Sequence, residues 1–191
     1  MQLGIDDASF IRGKVPMTKQ EIRILVLVKA AIPPNGIVFD IGAGTGSLSV
    51  EAARLAPEGH VYALERKEEA CGLIRQNAVK FDVTNLTVVP VEAPEGIDGL
   101  PDCDAVLIGG SGGHLTSILD AVTPKLRLDG HIVVTCITVQ TLHRAISYFR
   151  QSAEYTYDAC SVQVSRLRPV GPYDMMQAEN PVFIITAKKE R

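Results

Sequence analysis

A chain of 191 residues, 46% hydrophobic and 21% charged, has the length and balance of one globular domain with a sizeable core, which excludes a disordered chain or a collagen-like repeat. A formal net charge of −3 offers no electrostatic footprint for a long nucleic-acid backbone, so no nucleic-acid partner is expected. Cys71, Cys103, Cys136 and Cys160 form no close pair, the apolar stretches are only strand length, and no apolar run follows Asp6 and Asp7; reduced thiols, no membrane contact and a cytoplasmic location are expected.

The first dozen and a half residues show no strong period. A helix then begins, with Thr18 as its cap, Glu21 completing a capping box and Ile22, Leu25, Val26 and Ala30 on one stripe, until Pro33-Pro34-Asn35-Gly36 ends it. From there strands and helices alternate. Strands are predicted at 37–41, 60–65, 86–91, 105–109 and 130–138, and helices at 47–55, 67–81, 114–126 and 139–150, with a short irregular helix or loop over 93–100. The last forty residues carry two strand-like runs, 157–168 and 181–188, around a Pro/Gly-containing segment, 169–180. The expected fold is α/β: a doubly wound, seven-stranded, mostly parallel sheet with an antiparallel edge hairpin, in a single domain over 1–191 whose residues 1–35 form an N-terminal lid and helix segment.

The strongest signal is Asp40-Ile41-Gly42-Ala43-Gly44-Thr45-Gly46, a strand end, a glycine turn and a helix start. A dinucleotide fingerprint places two residues between its second and third glycines, whereas only Thr45 separates Gly44 from Gly46. Asp40 also puts a carboxylate on the strand end, poorly matched to pyrophosphate and well matched to an ammonium. Glu65 closes the next strand, where an acceptor can take both hydroxyls of a ribose.

These residues resemble those of class I S-adenosylmethionine-dependent methyltransferases. The resemblance implies S-adenosyl-L-methionine as cofactor, with Gly42, Ala43, Gly44 and Gly46 against its amino-acid part, Asp40 at its ammonium, Glu65 on its ribose and Glu92-Ala93 beside its adenine. Gly13-Lys14-Val15-Pro16-Met17-Thr18-Lys19, Val91-Glu92-Ala93-Pro94-Glu95 and Ile108-Gly109-Gly110-Ser111-Gly112-Gly113 are similar to segments of the cobalt-precorrin C15-methyltransferases (decarboxylating) of cobalamin synthesis. Membership there implies Thr18 in the cofactor site, an anionic tetrapyrrole substrate, methyl transfer to C15 with loss of carbon dioxide from the C12 acetate, and a homo-oligomer, a tetramer above all. Relatives in that pathway often carry a second methyltransferase domain ahead of this one, which would leave C5 methylation here to another protein.

The methyl sulfonium is already activated, so no metal is needed, and His60, His114, His131 and His143 have no metal-ligand spacing. Candidate receivers of substrate carboxylates are Arg12, Lys14, Lys19, Arg23 and Arg168, with Arg166 beside it, and the loop Gly109, Gly110, Ser111, Gly112 and Gly113, whose five unhindered amides could accept an anion. For each charged residue a plain solvated role competes. His114 is the candidate proton donor, or else a helix cap. Tyr155, Tyr157, Met175 and Met176 could contribute to a subunit interface, and Asp102 and Asp104 suit turn and strand-start roles. Rival functions are methylation of transfer RNA, of protein isoaspartate or of another small molecule, a Rossmann oxidoreductase, and a cofactor-binding assembly protein without turnover.

Overall fold

The computed structural model describes residues 3–191. A seven-stranded sheet has the order β3-β2-β1-β4-β5-β9-β6, built from β1 (Ile37–Ile41), β2 (His60–Leu64), β3 (Leu86–Val89), β4 (Cys103–Ile108), β5 (Leu126–Cys136), β6 (Tyr155–Val162) and β9 (Val182–Lys189). β1 to β5 pair in parallel, and β9 pairs antiparallel with both β5 and β6. The edge hairpin expected from sequence is therefore present, with its second strand inserted beside β5 and its first strand outermost.

Alternation along the central strands sends successive side chains to opposite faces. Phe39 and Ile41 of β1, Val106 and Ile108 of β4, and Ile132 and Val134 of β5 join α4 (Leu115–Val122) and α5 (Val139–Gln151) in one apolar cluster. Val38, Ala105, Leu107 and Val133 face the other way, against α1 (Gln20–Ala30) and α2 (Ser47–Leu55). Both faces being covered, the strands read as continuous apolar runs, as buried parallel strands do. α3 (Glu68–Lys80) completes the α2 side, buried along Ala70, Cys71, Ile74 and Asn77.

Two local expectations change. α1 is capped at Lys19 with no side-chain hydrogen bond, so the Thr18–Glu21 capping box does not form. Thr18 instead lends its carbonyl to Arg23, 2.6 Å away. Residues 93–100 form turns, the loop of the two forms expected there. The second change is at 157–180: the strand-like run over 157–168 divides between β6 and β7 (Ser165–Val170), and the Pro/Gly-containing segment carries the end of β7 and all of β8 (Tyr173–Ala178), the two making a separate two-stranded ribbon. Gly171, at φ +60, supplies its turn.

Tyr155 is withdrawn from the proposed interface, while Tyr157 is half-buried. Tyr155 is buried and donates to Thr123 Oγ1 at 2.9 Å, and both rings pack on Phe149. Met175 and Met176 remain exposed on β8.

Candidate active site

The glycine turn leaves β1 where three parallel strands end together. Asp40 and Ile41 lie in register with Ala63 and Leu64 of β2, so the next residue on that strand, Glu65, brings its carboxylate to the same edge as Asp40. Gly42 has φ +70, and a Cβ there would stand 2.4 Å from the Gly110 carbonyl oxygen, so the turn and the loop after β4 touch backbone to backbone. Gly44 has φ +58 and faces the Pro16 carbonyl at 3.0 Å from a would-be Cβ. A side chain at Gly42 would collide with backbone, and one at Gly44 would crowd Pro16 on a left-handed backbone, which is why the turn suits glycine at both.

Glu65 is fixed by its neighbours: Oε2 accepts from the Gly44 amide at 3.0 Å and Oε1 from the Lys67 amide at 2.9 Å. Asp40 is 1% exposed and accepts a short hydrogen bond from the Ser49 hydroxyl. Burial pushes its carboxyl up to about 6, Glu65 nearby adds to that rise, and the Ser49 hydrogen bond opposes it.

Both carboxylates open on a cavity of about 550 Å³ that runs along the carboxyl ends of the strands, where open α/β sheets bind ligands. Thr18, Lys19, Asp40, Gly42, Ala43, Gly44, Glu65, Glu92 and Ala93 all line it, as do Gly109, Gly110, Ser111 and Gly112. Gly46 stands behind the wall as the α2 cap, with φ +76, packed on Ile74. Gly113 and His114 border a shallow neighbouring hollow with Arg144. His114 caps α4 by position and its Nε2 lies 4.0 Å from Glu92 Oε1, a carboxylate also paired with Arg66 at 2.5 Å.

Four substrate candidates fall elsewhere. Arg23 is fully buried: it pairs with Glu51 at 2.9 Å and Asp7 at 2.6 Å and also donates to the carbonyls of Ile5 and Thr18, so it has nothing left for a ligand. Arg168 is on the ribbon, donating to Gln177 at 2.9 Å, and it does not line the cavity. Arg12 and Lys14 are exposed and outside the lining. The anion-receiving loop is smaller than five amides, because those of Gly109 and Gly110 donate to the Ile41 carbonyl at 3.0 and 3.4 Å.

Sequence reasoning missed the opposite wall. Thr135, Ile137, Thr138 and Thr141 line it from the end of β5 and the start of α5, with Asn180 and Val182 from the start of β9. The rule that ligands sit at carboxyl ends of parallel strands could have found the β5 group. Nothing in the sequence marks Asn180, whose place follows from β9 running against its neighbours.

Two carboxylates that accept only, on adjacent strand ends and separated by a turn that leaves no room for side chains, suit a ligand carrying an ammonium and a diol. By strand order and the placing of its turn, the protein falls among class I S-adenosylmethionine-dependent methyltransferases, and S-adenosylmethionine is the cofactor that this donor set fits. Residues 9–189 match the precorrin methyltransferase domain, and the chain belongs to that family. It is 40% identical over 185 residues to the cobalt-precorrin-6B C(15)-methyltransferase (decarboxylating) of Salmonella typhimurium strain LT2, covering 96% of this chain and 95% of that one. The crystal structure of precorrin-6y C5,15-methyltransferase from Geobacter metallireducens GS-15 superposes with a TM-score of 0.92 at 43% identity, covering 98% of this chain and 97% of that one. Precorrin 8W decarboxylase of Methanobacterium thermoautotrophicum gives a TM-score of 0.89 at 32% identity, covering 95% of this chain and 98% of that one.

Among the described residues no group of three or more His, Cys, Asp and Glu is placed to hold a metal ion, and no helix is long and apolar enough to cross a membrane.

Proposed function

We propose that the protein transfers a methyl group to C15 of cobalt-precorrin-6B, or of the corresponding cobalt-free precorrin, with loss of carbon dioxide from the C12 acetate. The observation that carries this reading is the pairing of Asp40 and Glu65 at one cavity edge, in a chain alike from end to end to the decarboxylating C15-methyltransferase of Salmonella. S-adenosylmethionine supplies a methyl already activated on a sulfonium.

The chain's own residues bind, orient and exclude water. Asp40, once ionised, accepts from the cofactor ammonium, and Glu65 exchanges its amide partners in part for ribose hydroxyls. Gly42, Ala43 and Gly44 let the backbone come close, Thr18 bounds the cavity just ahead of α1, and Glu92 with Ala93 borders the adenine. Lys19, just ahead of α1, is a cation lining the cavity, and it faces Asp7 only at 3.9 Å, which leaves it able to receive a substrate carboxylate. Ser111 and Gly112 offer amides from the loop after β4. The apolar and hydroxyl wall from Thr135 to Thr141 suits the face of a conjugated macrocycle. That macrocycle can take up the electron pair released by decarboxylation, so the step asks no base of the chain. His114, 55% exposed beside Glu92, serves at most to hydrogen-bond a peripheral group.

The same reading makes the protein cytoplasmic and a homo-oligomer, a tetramer by likeness, with the exposed ribbon supporting an interface. The test is anaerobic turnover of cobalt-precorrin-6B with S-adenosylmethionine, read by product mass. Gain of one methyl with loss of one carbon dioxide is the expected result. Methylation alone would remove the decarboxylating part, and no change beside an active control enzyme would point to another acceptor.

A further inference from the structure

The segment from Gly4 to Lys19, the strap, runs over α1, α2 and α3 to reach the cavity at its end, with one short 3-10 turn, Asp7–Ser9, as its regular structure. Its end, Val15 to Lys19, forms cavity wall, and the Pro16 carbonyl sits against Gly44. What fixes a wall made of irregular backbone is therefore part of how the cavity keeps its shape.

Three buried side chains hold the strap: Glu51 accepts the amides of Gly4 and Ile5 at its start, and Arg23 and Asn77 secure it further along. Arg23 takes the Thr18 carbonyl at the downstream end. Upstream, Asn77 of α3 is fully buried among the inward residues Ala70, Cys71, Leu73, Ile74 and Ala78, a polar exception on an otherwise apolar face. Its Oδ1 accepts from the Ile11 amide at 2.8 Å, and its Nδ2 donates to the Ile11 carbonyl at 3.1 Å and to the Thr45 carbonyl at 2.9 Å. Burying an amide is tolerable when such bonds are made and costly otherwise. An apolar side chain would serve α3 as well, so the bonds that Asn77 makes are what the position supplies. They join the strap to the glycine turn, the two walls that meet at Gly44, through one side chain that does not itself line the cavity.

We propose that Asn77 is a positioning residue for the cofactor: by clasping Ile11 and Thr45 together it sets the spacing between strap and glycine turn, and so the affinity of the cavity for S-adenosylmethionine. The inference rests on reading that cavity as the cofactor site. A matched control exists in Asn85, whose Nδ2 donates to the carbonyls of Ala53, Ala56 and Gly59 at 3.0, 2.6 and 3.4 Å just ahead of β3, at the amino-end edge of the sheet away from the cavity.

Titration calorimetry with S-adenosylmethionine and with S-adenosylhomocysteine, on wild type, Asn77→Ala and Asn85→Ala, separates the outcomes. Asn77→Ala should weaken both ligands about tenfold or more, as expected when the ordering of the strap against the glycine turn, otherwise secured before the ligand arrives, has to be supplied on binding. Asn85→Ala should melt lower yet bind within about twofold of wild type, within the spread of substitutions that touch nothing at a site. Equal binding by Asn77→Ala and wild type would overturn the proposal, and so would an equal loss in both variants. Failure of wild type itself to bind would instead overturn the cofactor reading. Should Asn77→Ala not fold, hydrogen exchange on wild type decides: binding and clasping are reciprocal, so the Ile11 amide should gain more protection from saturating S-adenosylmethionine than the β5 core amides do. A gain no larger than theirs would overturn the proposal.

Discussion

The strap and the ribbon are opposites. The strap has almost no regular backbone, yet Phe10 is 4% exposed, packs on Phe81 and lies under the Arg23 guanidinium, and Glu51 accepts the amides of Gly4 and Ile5. The ribbon has a full antiparallel ladder from Ser165↔Ala178 to Val170↔Tyr173, yet every residue of both strands is exposed. Regular hydrogen bonding and attachment to the core are thus separate properties. A strand pair can satisfy its own backbone and still contribute little to the cooperative fold, because an isolated two-stranded hairpin is marginal in water. An irregular segment belongs to that fold when buried side chains satisfy its backbone groups.

The largest expected effect breaks the strap. Arg23→Met keeps most of the side-chain volume but leaves Glu51 buried without its cation and the Ile5 and Thr18 carbonyls without their donor. Removing one partner of a buried pair typically costs about 3–5 kcal/mol. Urea unfolding should show a loss of that size with an unchanged slope, followed by circular dichroism. A midpoint equal to wild type would mean that the strap lies outside the cooperative unit, and the contrast with the ribbon would collapse.

A second test reads the cavity edge at the end of β1 through pH. Burial raises the Asp40 carboxyl from 3.8 to about 6, so the fold favours its protonated form. Its stabilising contribution is therefore complete below the unfolded value and is lost as pH rises through about 6, a span that corresponds to about 3 kcal/mol. Asp40→Asn cannot ionise. The stability of the variant relative to wild type should thus increase by up to about 3 kcal/mol between about pH 4 and pH 7, measured by urea unfolding at both ends. A difference that does not vary with pH would mean that Asp40 is far better solvated than its 1% exposure indicates.

The two regions also differ in how much of them could be read from sequence. The glycine turn, Asp40 and Glu65 were legible because a turn between strand and helix restricts residue type at fixed spacing; the five parallel strands were legible as largely apolar runs alternating with helices, and the antiparallel β6 and β9 as two strand-like runs with no helix between them. Arg23 was not. A cation near the start of an amphipathic helix looks the same in sequence whether it faces ligand or Glu51, and its partners, Asp7 and Glu51, are 16 and 28 residues away. The ribbon is only half legible: residues 165–168 of β7 read as the end of the strand-like run 157–168, whereas β8, with no buried face, carries no apolar alternation and falls in the Pro/Gly-containing segment.

The smallest expected effect concerns the ribbon itself. Leu167 and Met176 are cross-strand partners, 64% and 63% exposed, and neither touches the core clusters. Surface substitutions of this kind usually change stability by no more than about 0.5 kcal/mol. Leu167→Asp with Met176→Asp should therefore leave the protomer's own unfolding free energy nearly unchanged at a protein concentration where it is monomeric. If the exposed apolar side chains of the ribbon instead meet a second copy of the chain, two carboxylates placed there would be desolvated against each other and against the partner ribbon. The variant would then sediment as a smaller species than wild type at equal concentration. Sedimentation velocity beside dilute unfolding separates the two contributions. A large loss of stability in the monomer would show that the ribbon is tied to the core by contacts as firm as those of the strap, which would remove the distinction drawn between them.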